Sequence, residues 1–190
     1  MSVASNMSWQ VVELADVPAT PWRNGGGTTQ ELLAWPHAEE WRARISVAEI
    51  ARNGPFSRYP AAERWFSVLE GDGVRLQVGG GSQSIRRDSE PFRFSGNADV
   101  DCTLLGGTTR ALNLISLPRA GRMVRAHDGY LGVVAARTLV AGYAPSGGSI
   151  AVFDDYVLDL APHTLVWRLL EQEGPVVLEG DDAFWLEVKL

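Results

Sequence analysis

Lysine is almost missing from this chain: of its 17 basic residues only Lys189 is a lysine. A Schiff-base enzyme or a P-loop nucleotide hydrolase needs a lysine inside a specific motif, and the penultimate residue stands in neither setting, so both classes fall away. Cysteine is as scarce. Cys102 is alone, which excludes an internal disulfide, and its place in the alternating run Val100-Asp101-Cys102-Thr103-Leu104 reads as a buried strand residue rather than a nucleophile. The three histidines, His37, His127 and His163, are 90 and 36 residues apart with no His-x-His pair. A metal site needs at least three converging ligands, usually two of them close in sequence, so neither a metal nor another cofactor is expected. There is no Gly-x-Ser-x-Gly elbow either, and no catalytic residue is assigned.

No apolar run approaches the roughly 18 residues of a membrane span. The first residues, MSVASNMSWQ, have neither the basic nor the apolar region of a secretion signal, so a cytoplasmic location is expected. A net charge of −6 disfavours nucleic acid and anionic membranes as partners, because both interfaces depend on a basic face. The charge is uneven. Residues 151–190 carry nine acidic groups against Arg168 and Lys189, while residues 1–150 are at +1, so an anion sits more easily with the first part.

What the chain has in quantity is period-two alternation. Trp41 to Val47, Val74 to Val78 and Phe184 to Val188 alternate apolar and polar, and further apolar runs fall at 65–69, 92–94, 100–105, 112–117, 132–141, 150–153, 156–160, 164–170 and 176–179. Turn residues separate them, among them Asn53-Gly54-Pro55, Gly71-Asp72-Gly73, Gly79-Gly80-Gly81, Asp128-Gly129, Pro145-Ser146-Gly147-Gly148, Glu173-Gly174-Pro175 and Gly180-Asp181-Asp182. Many short strands with Gly and Pro turns predict an all-β sandwich or barrel. Two capping-box patterns compete with this. Thr28 to Glu31 is read as leading into a strand over 31–35, because Pro36 leaves too little room for a helix, and Ser46 to Glu49 is read as a candidate for one helical turn. The acidic pairs Asp154-Asp155 and Asp181-Asp182, beside turns, read as solvated surface.

One segment looks shaped for a ligand. Residues 21–31, PWRNGGGTTQE, put Trp22, Arg23 and Asn24 next to three glycines. Without a Cβ the glycines can take positive φ and bring their N–H groups close to an oxygen-rich ligand, while Arg23 and Asn24 add directional donors; a strained turn is the alternative. On the strand that follows, Arg44 and Ser46 share the polar face, and a guanidinium fork beside a hydroxyl suits a carboxylate. A solvated outer strand face is the alternative for Arg44 and for Arg64. Ser57 reads as a turn-forming hydroxyl, and Trp22 is the tryptophan expected to line a pocket rather than the core.

PWRNGGGTTQE, ARISVAEI at 43–50, GPFSRYPAAERWFSVLEGDGVRL at 54–76 and LNLISLPR at 112–119 resemble, in order and spacing, the signature blocks of the HutD/Ves family. Trp22, Asn24, Gly25, Gly26, Gly27 and Glu31 match the first block, and Arg44, Ser46 and Ala48 the second, with Ala43 where the family commonly has Trp. Gly54, Pro55, Phe56, Ser57, Pro60 and Arg64 match the third, with Ala61 for a usual Gly and Glu63 for a usual Asp. Asn113 and Leu114 match the last, with Ala111 for an acidic residue. The resemblance implies a bicupin, two packed jelly-roll lobes without the metal-binding histidines of other cupins. The lobes are expected at 1–115 and 116–190, with strands exchanged between them as an option. It also implies a ligand set of Trp22, Asn24, Gly25, Gly26, Glu31, Arg44, Ser46, Ser57, Arg64 and Asn113. The family's link to histidine utilisation implies a small carboxylated metabolite such as N-formylglutamate as partner and a role as sensor or modulator, with a homodimer left open. Two rivals stand beside this: an isomerase or hydrolase using Glu31 or a histidine as base, and a stress-related interaction module without a ligand.

Overall fold

A computed structural model describes residues 8–145, 149–153 and 156–190. Ser146-Gly147-Gly148, read above as turn residues, and Asp154-Asp155, read as solvated surface, lie outside the described residues, as do residues 1–7. The chain opens with β1 (Gln10–Glu13) and a single 3-10 turn at Leu14–Asp16. Ten strands follow: β2 (Thr20–Pro21), β3 (Gly27–Trp35), β4 (Ala43–Ile50), β5 (Gly54–Pro55), β6 (Glu63–Glu70), β7 (Val74–Val78), β8 (Gly81–Ile85), β9 (Phe92–Ser95), β10 (Val100–Leu104) and β11 (Thr109–Ser116). The last six are β12 (Gly121–Val134), β13 (Thr138–Ala144), β14 (Ser149–Phe153), β15 (Tyr156–Leu160), β16 (Thr164–Leu170) and β17 (Gly174–Lys189). The all-β expectation holds. No helix among the described residues is long and apolar enough to cross a membrane.

The chain divides into two compact units, Val17–Gly121 and a second one made of the described residues up to Asp16 with Arg122–Leu190. The sequence reading drew its line at 115/116, with exchange of strands between the lobes as an option, and the units divide at 121/122. In the structure β1 pairs antiparallel with β16, Gln10 opposite Trp167, and so belongs to the C-terminal unit.

In the Val17–Gly121 unit a six-stranded sheet runs β2-β3-β4-β11-β6-β9 and a four-stranded sheet β5-β10-β7-β8, all antiparallel. Alternation decides what each strand buries. On β7, Val74 and Leu76 are buried while Arg75 and Gln77 face out, and on the paired β10, Val100 and Cys102 are buried, Cys102 opposite Leu76. These four join Ile50, Phe66, Val68 and Phe94 of the six-stranded sheet in one cluster. Each fully buried Leu or Phe contributes roughly 1.5–3 kcal/mol, so Leu76→Ala costs about 2–5 kcal/mol. The second unit has a seven-stranded sheet, β1-β16-β13-β17-β14-β15 with β12 on β17, around Val140, Val166, Leu178 and Trp185.

Three local readings are corrected. Ser46–Glu49 does not open a helical turn: β4 runs on to Ile50, because β3 and β11 take its hydrogen bonds on both sides. The run 132–141 is two strands, parted at residues 135–137, where Arg137 has φ +58°. Asp128-Gly129 and Gly180-Asp181-Asp182 are not inter-strand turns but lie within the long, mutually paired strands β12 and β17. Gly129 (φ +98°) and Gly180 (φ +139°) take backbone conformations that glycine alone adopts easily, so each strand bends without ending.

Candidate functional site

A cavity of about 460 Å³ opens in the Val17–Gly121 unit, and every residue lining it belongs to that unit. Its size is that of a small-metabolite site. The floor is the six-stranded sheet. On β4 the even residues Arg44, Ser46, Ala48 and Ile50 line the cavity, while Ala43, Ile45 and Val47 are buried on the opposite face. Register carries the row across the sheet: Ser46 is opposite Asn113, which is opposite Phe66, and Arg44 is opposite Ile115, which is opposite Arg64. Arg44 and Arg64 therefore flank Ile115 in one row, two strand spacings or roughly 10 Å apart at the backbone.

Two loops make the walls. Residues 54–59 are hooked to the other sheet, where Gly54 and Pro55 pair with Cys102 and Asp101 and the Phe56 amide donates to the Val100 carbonyl at 2.9 Å. From this segment Phe56, Ser57 and Tyr59 face the cavity. The loop at 21–24 brings Trp22, whose Nε1 donates to Thr29 Oγ1 at 2.7 Å and whose ring meets Phe56 edge-on at 6.2 Å. Phe56 in turn packs on Phe66 at 5.9 Å, so one end of the cavity is an aromatic wall.

Arg64 is the centre of the polar end. It is 7% exposed, its Nη1 donates to the Ser57 carbonyl at 3.2 Å, and its Nη2 donates to Asn113 Oδ1 at 3.1 Å. Its guanidinium carbon lies 5.1 Å from the Phe56 and Phe94 ring centres and 5.5 Å from that of Tyr59. Its Nε is buried with no partner, and among the described residues no carboxylate pairs with it. Burial pushes its pKa down to about 10, opposed only by Tyr59, which leaves it a cation at neutral pH. A buried cation without an anion is costly, and a bound anion relieves that cost.

Arg44 is different. Its Nε donates to Glu31 Oε2 at 2.6 Å and its Nη2 to the same oxygen, and its guanidinium carbon lies 5.7 Å from the Trp41 ring and 6.0 Å from that of Tyr59. The sequence reading aimed Arg44 at a ligand carboxylate as an open fork. In the structure that fork already holds an internal carboxylate.

Of the residues named from sequence, Trp22, Asn24, Arg44, Ser46, Ser57, Arg64 and Asn113 line the cavity, while Gly25, Gly26 and Glu31 do not. The glycine loop is corrected from an amide cradle to a closed turn. The Gly25 amide donates to the Trp22 carbonyl at 3.0 Å and the Gly26 amide to Asn24 Oδ1 at 2.9 Å, so both donors are used within the loop. Gly25 has φ +66°, and a Cβ on Gly27 would collide with the Glu49 carbonyl oxygen on the neighbouring strand. Tyr59, which touches both arginines, was missed. Its signal lay in the third block, one residue before Pro60. Ala61, where the family usually has Gly, has φ +58°, the conformation a glycine would adopt freely.

Among the described residues no group of three or more His, Cys, Asp or Glu could hold a metal ion. A two-unit, all-β jelly roll defines a cupin, here with an aromatic and arginine-lined cavity in the Val17–Gly121 unit. The chain belongs to the HutD family, whose profile matches residues 14–186. It is 38% identical over 115 residues to an uncharacterized 21.2 kDa protein in the hutC 3' region of Pseudomonas putida, 60% of either chain. It is 30% identical over 178 residues to protein Ves of Cronobacter sakazakii, covering 87% of this chain and 94% of that one. Its fold matches that of HutD from Pseudomonas fluorescens SBW25 with a TM-score of 0.84, at 24% identity over 96% of this chain and 98% of that one.

Proposed function

We propose that the cavity binds a small carboxylated metabolite, with the carboxylate seated on Arg64, and that the protein acts as a sensor or modulator in amino-acid catabolism. The observation that carries this is Arg64 itself: a buried guanidinium with an unpartnered Nε, no paired carboxylate among the described residues, and a ligand-sized space beside it. The Pseudomonas putida relative, placed by its name beside hutC, supports histidine utilisation as the setting, and the family resemblance makes N-formylglutamate a first probe. Binding is favoured over turnover by the lining. It contains no histidine, cysteine, aspartate or glutamate, and Tyr59 is its one residue with a proton to give besides the arginines and hydroxyls. Glu31, the base of the rival enzyme reading, is held by Arg44.

Calorimetry with N-formyl-L-glutamate, glutarate and acetate tests the reading. A carboxylate bound only by the folded protein also raises the melting temperature by mass action. Arg64→Met should weaken binding about tenfold or more, since a charge-assisted pair is worth about 1.5–3 kcal/mol. Arg64→Lys should restore only part, because an ammonium keeps the charge but not the fork. Affinity that is unchanged in Arg64→Met discards the reading, and steady consumption of N-formyl-L-glutamate by the purified protein turns it toward an enzyme.

A further inference from the structure

Besides the exposed Arg23, the cavity is lined by two half-buried or buried guanidiniums within reach of one ligand, since both lie within 6.0 Å of the Tyr59 ring centre, yet only one of these two is uncompensated. Glu31 reaches Arg44 from the neighbouring strand, and both Arg44 donors in use end on one carboxylate oxygen. That leaves Arg44 Nη1 without a partner among the described residues, so Arg44 still offers hydrogen bonds to the cavity while its charge is balanced. The pair is half-buried, each side chain 31% exposed, which keeps solvent ions from screening it fully. Glu31 does not line the cavity and so acts on a ligand only through Arg44.

We propose that Glu31 is a specificity-determining residue that fixes the sheet floor of the cavity at one uncompensated positive charge, the exposed Arg23 being screened by solvent. The ligand it selects presents a single carboxylate, to Arg64, and a neutral oxygen acceptor such as an amide carbonyl or hydroxyl toward Arg44. A second carboxylate would meet a guanidinium already neutralised and would have to displace Glu31 or lie beside it as a like charge. This rests on the reading that an anion seats on Arg64, and it narrows the ligand from carboxylates in general to monoanions of mixed polarity.

The test compares two isosteric pairs by calorimetry at pH 7: glutarate with its monoamide, and N-formyl-L-glutamate with N-formyl-L-glutamine. Wild type should bind each monoanion at least as tightly as its dianionic partner. Glu31→Gln keeps the shape and releases the Arg44 charge, and should move the dianion-to-monoanion affinity ratio about tenfold toward the dianion. The double variant Glu31→Gln with Arg44→Gln removes both charges and should return the ratio to the wild-type side, which a mere packing effect of Glu31 would not do. A ratio that stays put in Glu31→Gln, with binding intact, overturns the role of Glu31 and leaves the carboxylate site standing. Wild-type preference for the dianions does the same. If no compound binds wild type or either variant, both the site and the role of Glu31 fall.

Discussion

Among the described residues each unit buries one arginine against an aromatic ring, and the two are handled in opposite ways. Arg125, in the C-terminal unit, is 4% exposed, sits 4.5 Å from the Phe184 ring centre and is ion-paired with Asp182. Arg64, in the other unit, is 7% exposed, sits among three rings and pairs with no carboxylate among the described residues. A guanidinium costs several kcal/mol to desolvate wherever it is buried. The second unit meets that cost inside its own chain, through an aspartate on β17. The first leaves it open toward a cavity, and an internal pair of that kind is what a bound metabolite would complete.

The largest effect that would break this comparison is on stability. Arg125→Met removes the ion pair to Asp182 and should cost about 3 kcal/mol, or roughly 6–12 °C in melting temperature for a protein of this size. Arg64→Met should stay within about 1 kcal/mol of wild type, because exchanging an unpaired buried charge for an apolar side chain is neutral or stabilising. Thermal unfolding of the two variants decides it, and equal losses would make Arg64 a structural residue like Arg125. A smaller effect comes from giving Arg64 its own carboxylate. Asn113 already accepts from Arg64 Nη2, so Asn113→Asp should raise stability by about 1 kcal/mol and lower carboxylate affinity by at least about tenfold, as read by calorimetry.

The pH response should be smaller still over the ordinary range. Burial lowers the Arg64 pKa to about 10, and only the charged form holds a carboxylate, so affinity should be flat from pH 6 to 9 and fall as pH climbs through about 10. Last is a local reporter. Cys102 is 2% exposed in the Arg64 unit, and burial pushes its thiol up to about 12, so labelling at pH 8 requires local opening. A saturating carboxylate ligand should slow that labelling severalfold, and Arg125→Met should change it less than it changes global unfolding.

How far the sequence carried this picture depends on whether a feature was local or came from register. Alternation over β4 was legible, and with it the shared face of Arg44 and Ser46, because strand parity needs no partner to be read. That Arg44 and Arg64 would flank Ile115 depended on β11 lying between β4 and β6, a pairing across 49 residues for Arg64 and Asn113 that one strand cannot announce. Glu31 was named as a ligand contact on the strength of its motif, but its bond to Arg44 required the β3–β4 register with its irregularity between Glu31 and Leu33. The glycines were misread for a related reason. Gly27 is demanded by the Glu49 carbonyl on the next strand, and sequence shows the small residue without the neighbour that forces it. Within the second unit, Asp128-Gly129 and Gly180-Asp181-Asp182 carry full turn chemistry, and only the sheet around them kept the strands running.

The division of the cavity between a sheet floor and loop walls has a consequence for descent. Arg64, Asn113 and Arg44 stand on adjacent hydrogen-bonded strands, where an insertion would shift the whole register and turn every side chain over. Trp22 and the Phe56–Tyr59 stretch stand on loops, where residues are exchanged at far lower cost to the fold. Lineages that inherit this scaffold can therefore drift in the shape and aromatic content of the cavity while keeping its two strand-borne arginines, and a change in what the cavity admits would be written in the loops long before it reached the strands.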